Sequence, residues 1–170
     1  MLAIYKRELK SYFRSFIGLL FIAVTLFFVS LYFTVNNLLY GYPYFSYAIG
    51  GVIFVFLITV PILSMRIMAE ERRSKTDQLI LTAPVSVGGI IFGKFLALMT
   101  IFAIPTAITC VYPLIMRCFG NVPMGEAYLS ILGFFLYGMT AIAIGVLISS
   151  LTESQVIAAV ISFIVLFLSY

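Results

Sequence analysis

Gly88-Gly89-Ile90-Ile91-Phe92-Gly93-Lys94 fills the first seven positions of a glycine-rich phosphate loop, in which backbone N–H groups and the lysine cradle a nucleotide. The eighth position, where a Ser or Thr hydroxyl holds magnesium, is Phe95, no strand pattern precedes the run, and apolar residues follow it. The run therefore reads as helix, with Gly89 and Gly93 as a small-residue packing face and Lys94 snorkelling to a membrane boundary. The chain has no histidine, which excludes a His-centred triad, a His zinc site and a His proton relay. Cys110 and Cys118 have neither CxxC spacing nor acidic neighbours; Cys110 reads as a small hydrophobe in an apolar run and Cys118 as a loop residue. No catalytic, cofactor-binding or metal set is expected on this chain.

Composition decides what the elements must be. Hydrophobic residues make up 64% and charged residues 9%, against about 25% charged in soluble domains. A soluble fold of this size cannot hide so much apolar surface, whereas a bilayer removes the need. The net charge of +4 does not point to nucleic acid, because the basic residues flank apolar runs and form no patch among stacking aromatics.

Leu2, Tyr5, Leu9, Tyr12, Phe13 and Phe16 recur every three or four residues, so residues 1–15 form an amphipathic helix. Lys6, Lys10 and Arg14 line up beside the stripe with Arg7 close by. Such a helix lies in the membrane interface with its basic face toward anionic headgroups, unless it is only a charged flank that sets orientation. Five apolar segments follow, at about 16–39, 45–68, 95–116, 128–148 and 156–170. The first is too long for a signal-peptide core and lacks a cleavage site. Tyr40, Tyr42, Tyr44 and Tyr47 form an aromatic belt at the first connection. Pro61 should kink the second span, and Pro105 and Pro113 should bend the third or end it at Pro113. Residues 117–127 read as a loop and 149–155 as a short polar turn. Gly138, Ala141 and Gly145 form a small-residue strip on the fourth span. The last segment is too short to cross, so the chain is expected to be C-terminally incomplete within a single transmembrane domain over 1–170.

Alternation of sides puts Lys6, Arg7, Lys10, Arg14, Arg66, Arg72, Arg73, Lys75 and Lys94 on one face and Arg117 alone on the other. By the positive-inside rule the N-terminus is cytoplasmic. The spans carry essentially no ionisable residue near mid-membrane, and Glu126 and Glu153 lie near span ends, so a proton-driven carrier is disfavoured and energy comes from elsewhere.

The one strongly polar stretch is 69–78, within the segment 69–86. Glu71 and Lys75 are spaced as on an exposed helix. Ser74 and Asp77 form a capping-box pattern for a short helix that carries Leu79, Ile80 and Leu81 and ends by Ala83, before Pro84. Ser86 offers an N-cap to the next span. A short helix of this kind is suited to docking a partner; the alternative is a solvated loop that only anchors two spans.

Glu70-Glu71-Arg72-Arg73, then Thr76, Leu79 to Leu81, Ala83-Pro84-Val85-Ser86 and Gly93-Lys94, resembles the cytoplasmic segment of ABC-2-type transporter permeases. Residues 72–86 look most like the subgroup that includes gliding-motility-associated ABC permeases, and the resemblance covers the whole chain. Most of the family reads Gly-Thr-Leu-Glu where this chain has Lys75, Thr76, Asp77 and Gln78, so only the threonine is kept. The resemblance implies an all-α integral membrane bundle of six spans, an N-terminal interfacial helix and a coupling helix between spans two and three. It implies pairing with a second permease subunit as homo- or heterodimer, and a separate cytoplasmic ABC ATPase that carries the ATP and magnesium. Glu70, Glu71, Arg72 and Arg73 would form the charged entry, Thr76, Asp77, Gln78, Leu79 and Leu81 the docking surface, and Pro84 the bend. The expected function is the permease subunit of an exporter in a bacterial inner membrane. Two other classes compete: a non-transporting scaffold that docks a cytoplasmic partner, and a polytopic membrane enzyme, for which the spans offer only scattered Ser, Thr and Tyr.

Overall fold

A computed structural model describes residues 2–65, 67, 87–152 and 154–169. Among these residues every regular element is helical. The predicted coupling helix, its capping box and the Ser86 cap lie outside the described residues.

Helix α1 (Leu2–Arg14) ends with Arg14 in its last turn, where a cation meets the negative end of the helix dipole. Ser15 leaves the helical conformation, and its Oγ accepts from the Ile17 N–H at 3.3 Å, capping α2 (Phe16–Tyr32). The first span then widens into a π-helix, Phe33–Leu39. Ser30 and Thr34 hydroxyls bond back to the carbonyls of Leu26 and Ser30, at 2.8 Å each, a habit that loosens a helix locally.

At the base of this wide turn the buried Asn37 amide donates to the Tyr42 carbonyl at 2.8 Å and to the Tyr44 carbonyl at 3.1 Å. These bonds hold the connection that turns through Gly41 at φ 67°. Tyr40, Tyr42, Tyr44 and Tyr47 are all exposed, with neighbouring ring centroids 5.0–6.3 Å apart, at the boundary where an aromatic belt was expected. Asn37→Leu strips both carbonyls of their donor and should cost about 1–3 kcal/mol. The check is a lower temperature of half-loss of monodisperse protein in detergent, with earlier proteolysis between Tyr40 and Tyr44.

Helix α3 (Ser46–Ser64) continues through Pro61 and is central, touching α2, α6 and α7. Helix α4 (Val87–Thr109) contains Pro105. Tight bonds from Cys110 N to Ala107 O and from Val111 N to Ile108 O then close the chain into a turn, and α5 (Tyr112–Phe119) starts with Pro113 in its first turn. A proline there sacrifices no helical hydrogen bond, so Pro113 opens a helix instead of closing one. Cys118, expected in a loop, lies in the last turn of α5, and the two cysteines form no disulfide.

Helix α6 (Met124–Leu151) places Glu126 in its first turn, favourably for the dipole, and α7 (Gln155–Ser169) closes the bundle against α3 and α6. Ser149, expected in a turn, is inside α6 and fully buried. Among the described residues four helices are long and apolar enough to cross a membrane: Phe16–Leu39, Ser46–Ser64, Gly88–Phe119 and Met124–Leu151.

Each of these four contributes a phenylalanine to one buried cluster. Phe102 has its ring centroid 4.9 Å from Phe56, 5.4 Å from Phe134 and 6.4 Å from Phe21, and stacks on Phe135 at 5.7 Å. Aromatic pairs of this kind add about 0.5–1.5 kcal/mol each beyond burial. Gly138 faces the cluster, and a Cβ there would overlap the Phe102 ring; one at Gly145 would overlap the Ser64 side chain. Without a hydrophobic drive inside lipid, such close approach is what lets dispersion hold helices together.

Candidate functional site

A helix leaves its last four carbonyls without intrahelical donors. At the end of α3 and just past it, three carbonyls are supplied from three other elements. The Tyr12 hydroxyl of α1 donates to Leu63 O at 3.2 Å, the Ser149 hydroxyl of α6 to Met65 O at 3.2 Å, and Lys94 Nζ of α4 to Ile67 O at 2.7 Å. Ile67 lies two residues before the segment 69–86 that the sequence singles out. A cation at this position also complements the negative end of the α3 dipole.

Lys94 is fully buried, and its ammonium lies 3.8 Å from Glu8 Oε1 on α1. The same oxygen lies 3.2 Å from Arg7 Nη2, so one carboxylate oxygen serves a surface guanidinium and a buried ammonium. A buried cation is tolerable only when paired and hydrogen-bonded, and here it is both. Tyr5 completes the contact between α1 and α4 through its hydroxyl, 3.0 Å from Thr100 Oγ1. Together these groups make a joint between helices; it contains no nucleophile–base pair. Among the described residues no three His, Cys, Asp or Glu side chains gather as metal ligands.

The snorkelling expected of Lys94 is overturned. Helix α1 packs along α4, so the lysine is turned inward to a carbonyl and a carboxylate instead of outward to water. Residues 88–94 form the first two turns of α4 and not the loop after a strand in which a phosphate site is built. On α1 the tyrosines and Glu8 face the bundle, while Lys6, Arg7, Lys10 and Arg14 are exposed. Glu70, Glu71, Arg72, Arg73, Thr76, Asp77, Gln78, Leu79, Leu81 and Pro84 lie outside the described residues. Gly93 is buried and Gly89 half-buried on α4; Gly138, Ala141 and Gly145 share the buried face of α6.

Glu8, Ser149 and the inward role of Lys94 were not foreseen. A signal existed: Glu8 falls three residues after Tyr5 and four before Tyr12, on the apolar stripe, and is the one acid of α1. Lys94 falls likewise on the stripe of Ile90, Ala97, Leu98 and Ile101, all buried.

Apolar helices of spanning length, packed through small residues and aromatic rings, define a multi-pass membrane protein. Residues 38–170 match the family model described as ABC-2 family transporter protein, and the chain belongs to that family. It is an ABC-transporter permease, a transport component not itself catalytic. No curated protein and no solved structure matches the chain.

Proposed function

We propose that this permease is the membrane subunit of an ATP-driven exporter, moved by a separate cytoplasmic ATPase that docks on residues 69–86. The observation that carries the reading is the bracing of α3, whose final carbonyls are tied to α1, α4 and α6. A push delivered to residues after Ile67 would be felt by three other elements at once, which a coupling segment needs and a solvated loop does not. The joint and the N-terminus would then be cytoplasmic, in a bacterial inner membrane, with a second permease subunit completing the path. The resemblance of residues 72–86 to gliding-associated permeases supports placement near that subgroup and has no bearing on motility.

The test is detergent purification of the full-length protein from its native membrane, followed by identification of what co-purifies. A P-loop ATPase should be recovered, and Leu79→Arg, which puts a charge on the docking surface, should cut its recovery about tenfold or more. If no ATPase appears even with a non-hydrolysable nucleotide, the exporter reading fails and a scaffold takes its place.

A further inference from the structure

The exposed side of α1 carries Lys6, Arg7, Lys10 and Arg14, flanked by Phe13 and Phe16, which are 42% and 76% exposed. Cations beside exposed aromatics at the entrance to a membrane span suit one surface, the anionic headgroups of the bilayer itself. The opposite side of the helix holds the buried end of the joint. Arg7 links the two, because its side chain is 59% exposed yet its Nη2 rests 3.2 Å from the Glu8 oxygen that also faces Lys94.

We infer that Arg7, Glu8 and Lys94 form a relay through which an anionic bilayer surface acts on Ile67, at the root of the 69–86 segment. The phosphate of an anionic lipid, which unlike that of phosphatidylcholine has no ammonium of its own headgroup to offset it, is a strong bidentate partner for a guanidinium and competes with Glu8 for Arg7. When it wins, Glu8 Oε1 is left to the Lys94 ammonium, and closing their 3.8 Å gap moves Nζ relative to the Ile67 carbonyl it holds at 2.7 Å. In a neutral bilayer Arg7 stays on Glu8 and the lysine stays on the carbonyl. Lys6, Lys10 and Arg14 gather anionic lipid, and Arg7 alone of the four is joined to Glu8 in the structure, so attraction and transmission fall on different residues. The consequence for transport rests on the function proposed above; the motion at the root of the segment does not.

The experiment uses the full-length chain with Cys110→Ala, Cys118→Ala and an environment-sensitive dye on Ser74→Cys. The protein is reconstituted in phosphatidylcholine vesicles titrated with phosphatidylglycerol. The dye signal should change with anionic lipid. Lys10→Gln should move the midpoint to about fivefold more phosphatidylglycerol, the weight of one basic side chain at such a surface, and leave the amplitude intact. Arg7→Gln should abolish the amplitude, and Glu8→Gln should do the same. Full amplitude in Arg7→Gln overturns the relay, as does a dye signal indifferent to phosphatidylglycerol. An unmoved midpoint in both Lys10→Gln and Arg14→Gln overturns the lipid as occupant and leaves the basic face to a protein. Since Arg7 is on the surface, its variant keeps the test decisive even if Glu8→Gln misfolds. The dye readout needs no ATPase, so a lipid response without ATPase recovery sinks the exporter reading and leaves the relay standing.

Discussion

Lys94→Met should be among the most damaging single substitutions in the chain, costing about 3–5 kcal/mol. It removes the donor of Ile67 O at the end of α3 and takes a buried cation from beside a nearly buried carboxylate. Glu8, its side chain 11% exposed, is left with only the surface guanidinium of Arg7, which water screens, so its charge loses its buried partner while the Ile67 carbonyl loses its donor. Adding Glu8→Gln to Lys94→Met should recover part of the deficit, because removing both members of a buried pair costs less than stranding one. The measurement is the thermal midpoint of monodisperse protein in detergent for both single variants and the double. Additive losses would mean that the two groups do not act on each other.

The second large effect is expected at Gly138. Leucine there must displace Phe102, whose ring is hemmed in by Phe56, Phe134 and the stacked Phe135, so it has nowhere to turn. Overpacking a filled core costs about 1–3 kcal/mol and sometimes more, and this position should lie at the upper end. Gly133 is the control on the same helix. It is exposed with open space where a Cβ would go, and Gly133→Ala should stabilise α6 by up to about 1 kcal/mol through helix propensity alone. Equal behaviour of the two sites in a thermal series would refute the close-packed account of this helix face.

The helical membrane class was legible because apolar run length and scarcity of charge are one-dimensional properties, and so was the family, through the motif around Arg72 to Ser86. What escaped was whatever depends on two elements meeting. Lys94 was read by the habit of isolated lysines, which reach for water; only the presence of α1 along α4 makes the inward rotamer the better one. Ser149 looked like the start of a polar turn because serine is common there, yet its hydroxyl answers a carbonyl 84 positions earlier in the chain. Pro113 was weighed as a helix ender, since the sequence alone does not say which side of a proline the break falls on. The widening at Phe33–Leu39 coincides with Thr34, Asn36 and Asn37 in an otherwise apolar run, but polar residues near a span end are as common in an ordinary helix and do not announce it.

Ser15 has a mechanical meaning beyond capping. It is the sole residue between α1 and the first span, so the two helices meet as the arms of a bent lever with no slack between them. An arm of 13 residues is about 20 Å long at ~1.5 Å per residue, so a tilt of the span by about 10° swings its tip by about 3 Å. The Tyr5 hydroxyl near that tip is held to Thr100 on α4. The first span therefore cannot tilt against the third without dragging this strut or breaking its grip, and motion anywhere in this half of the bundle is geared to motion at its base.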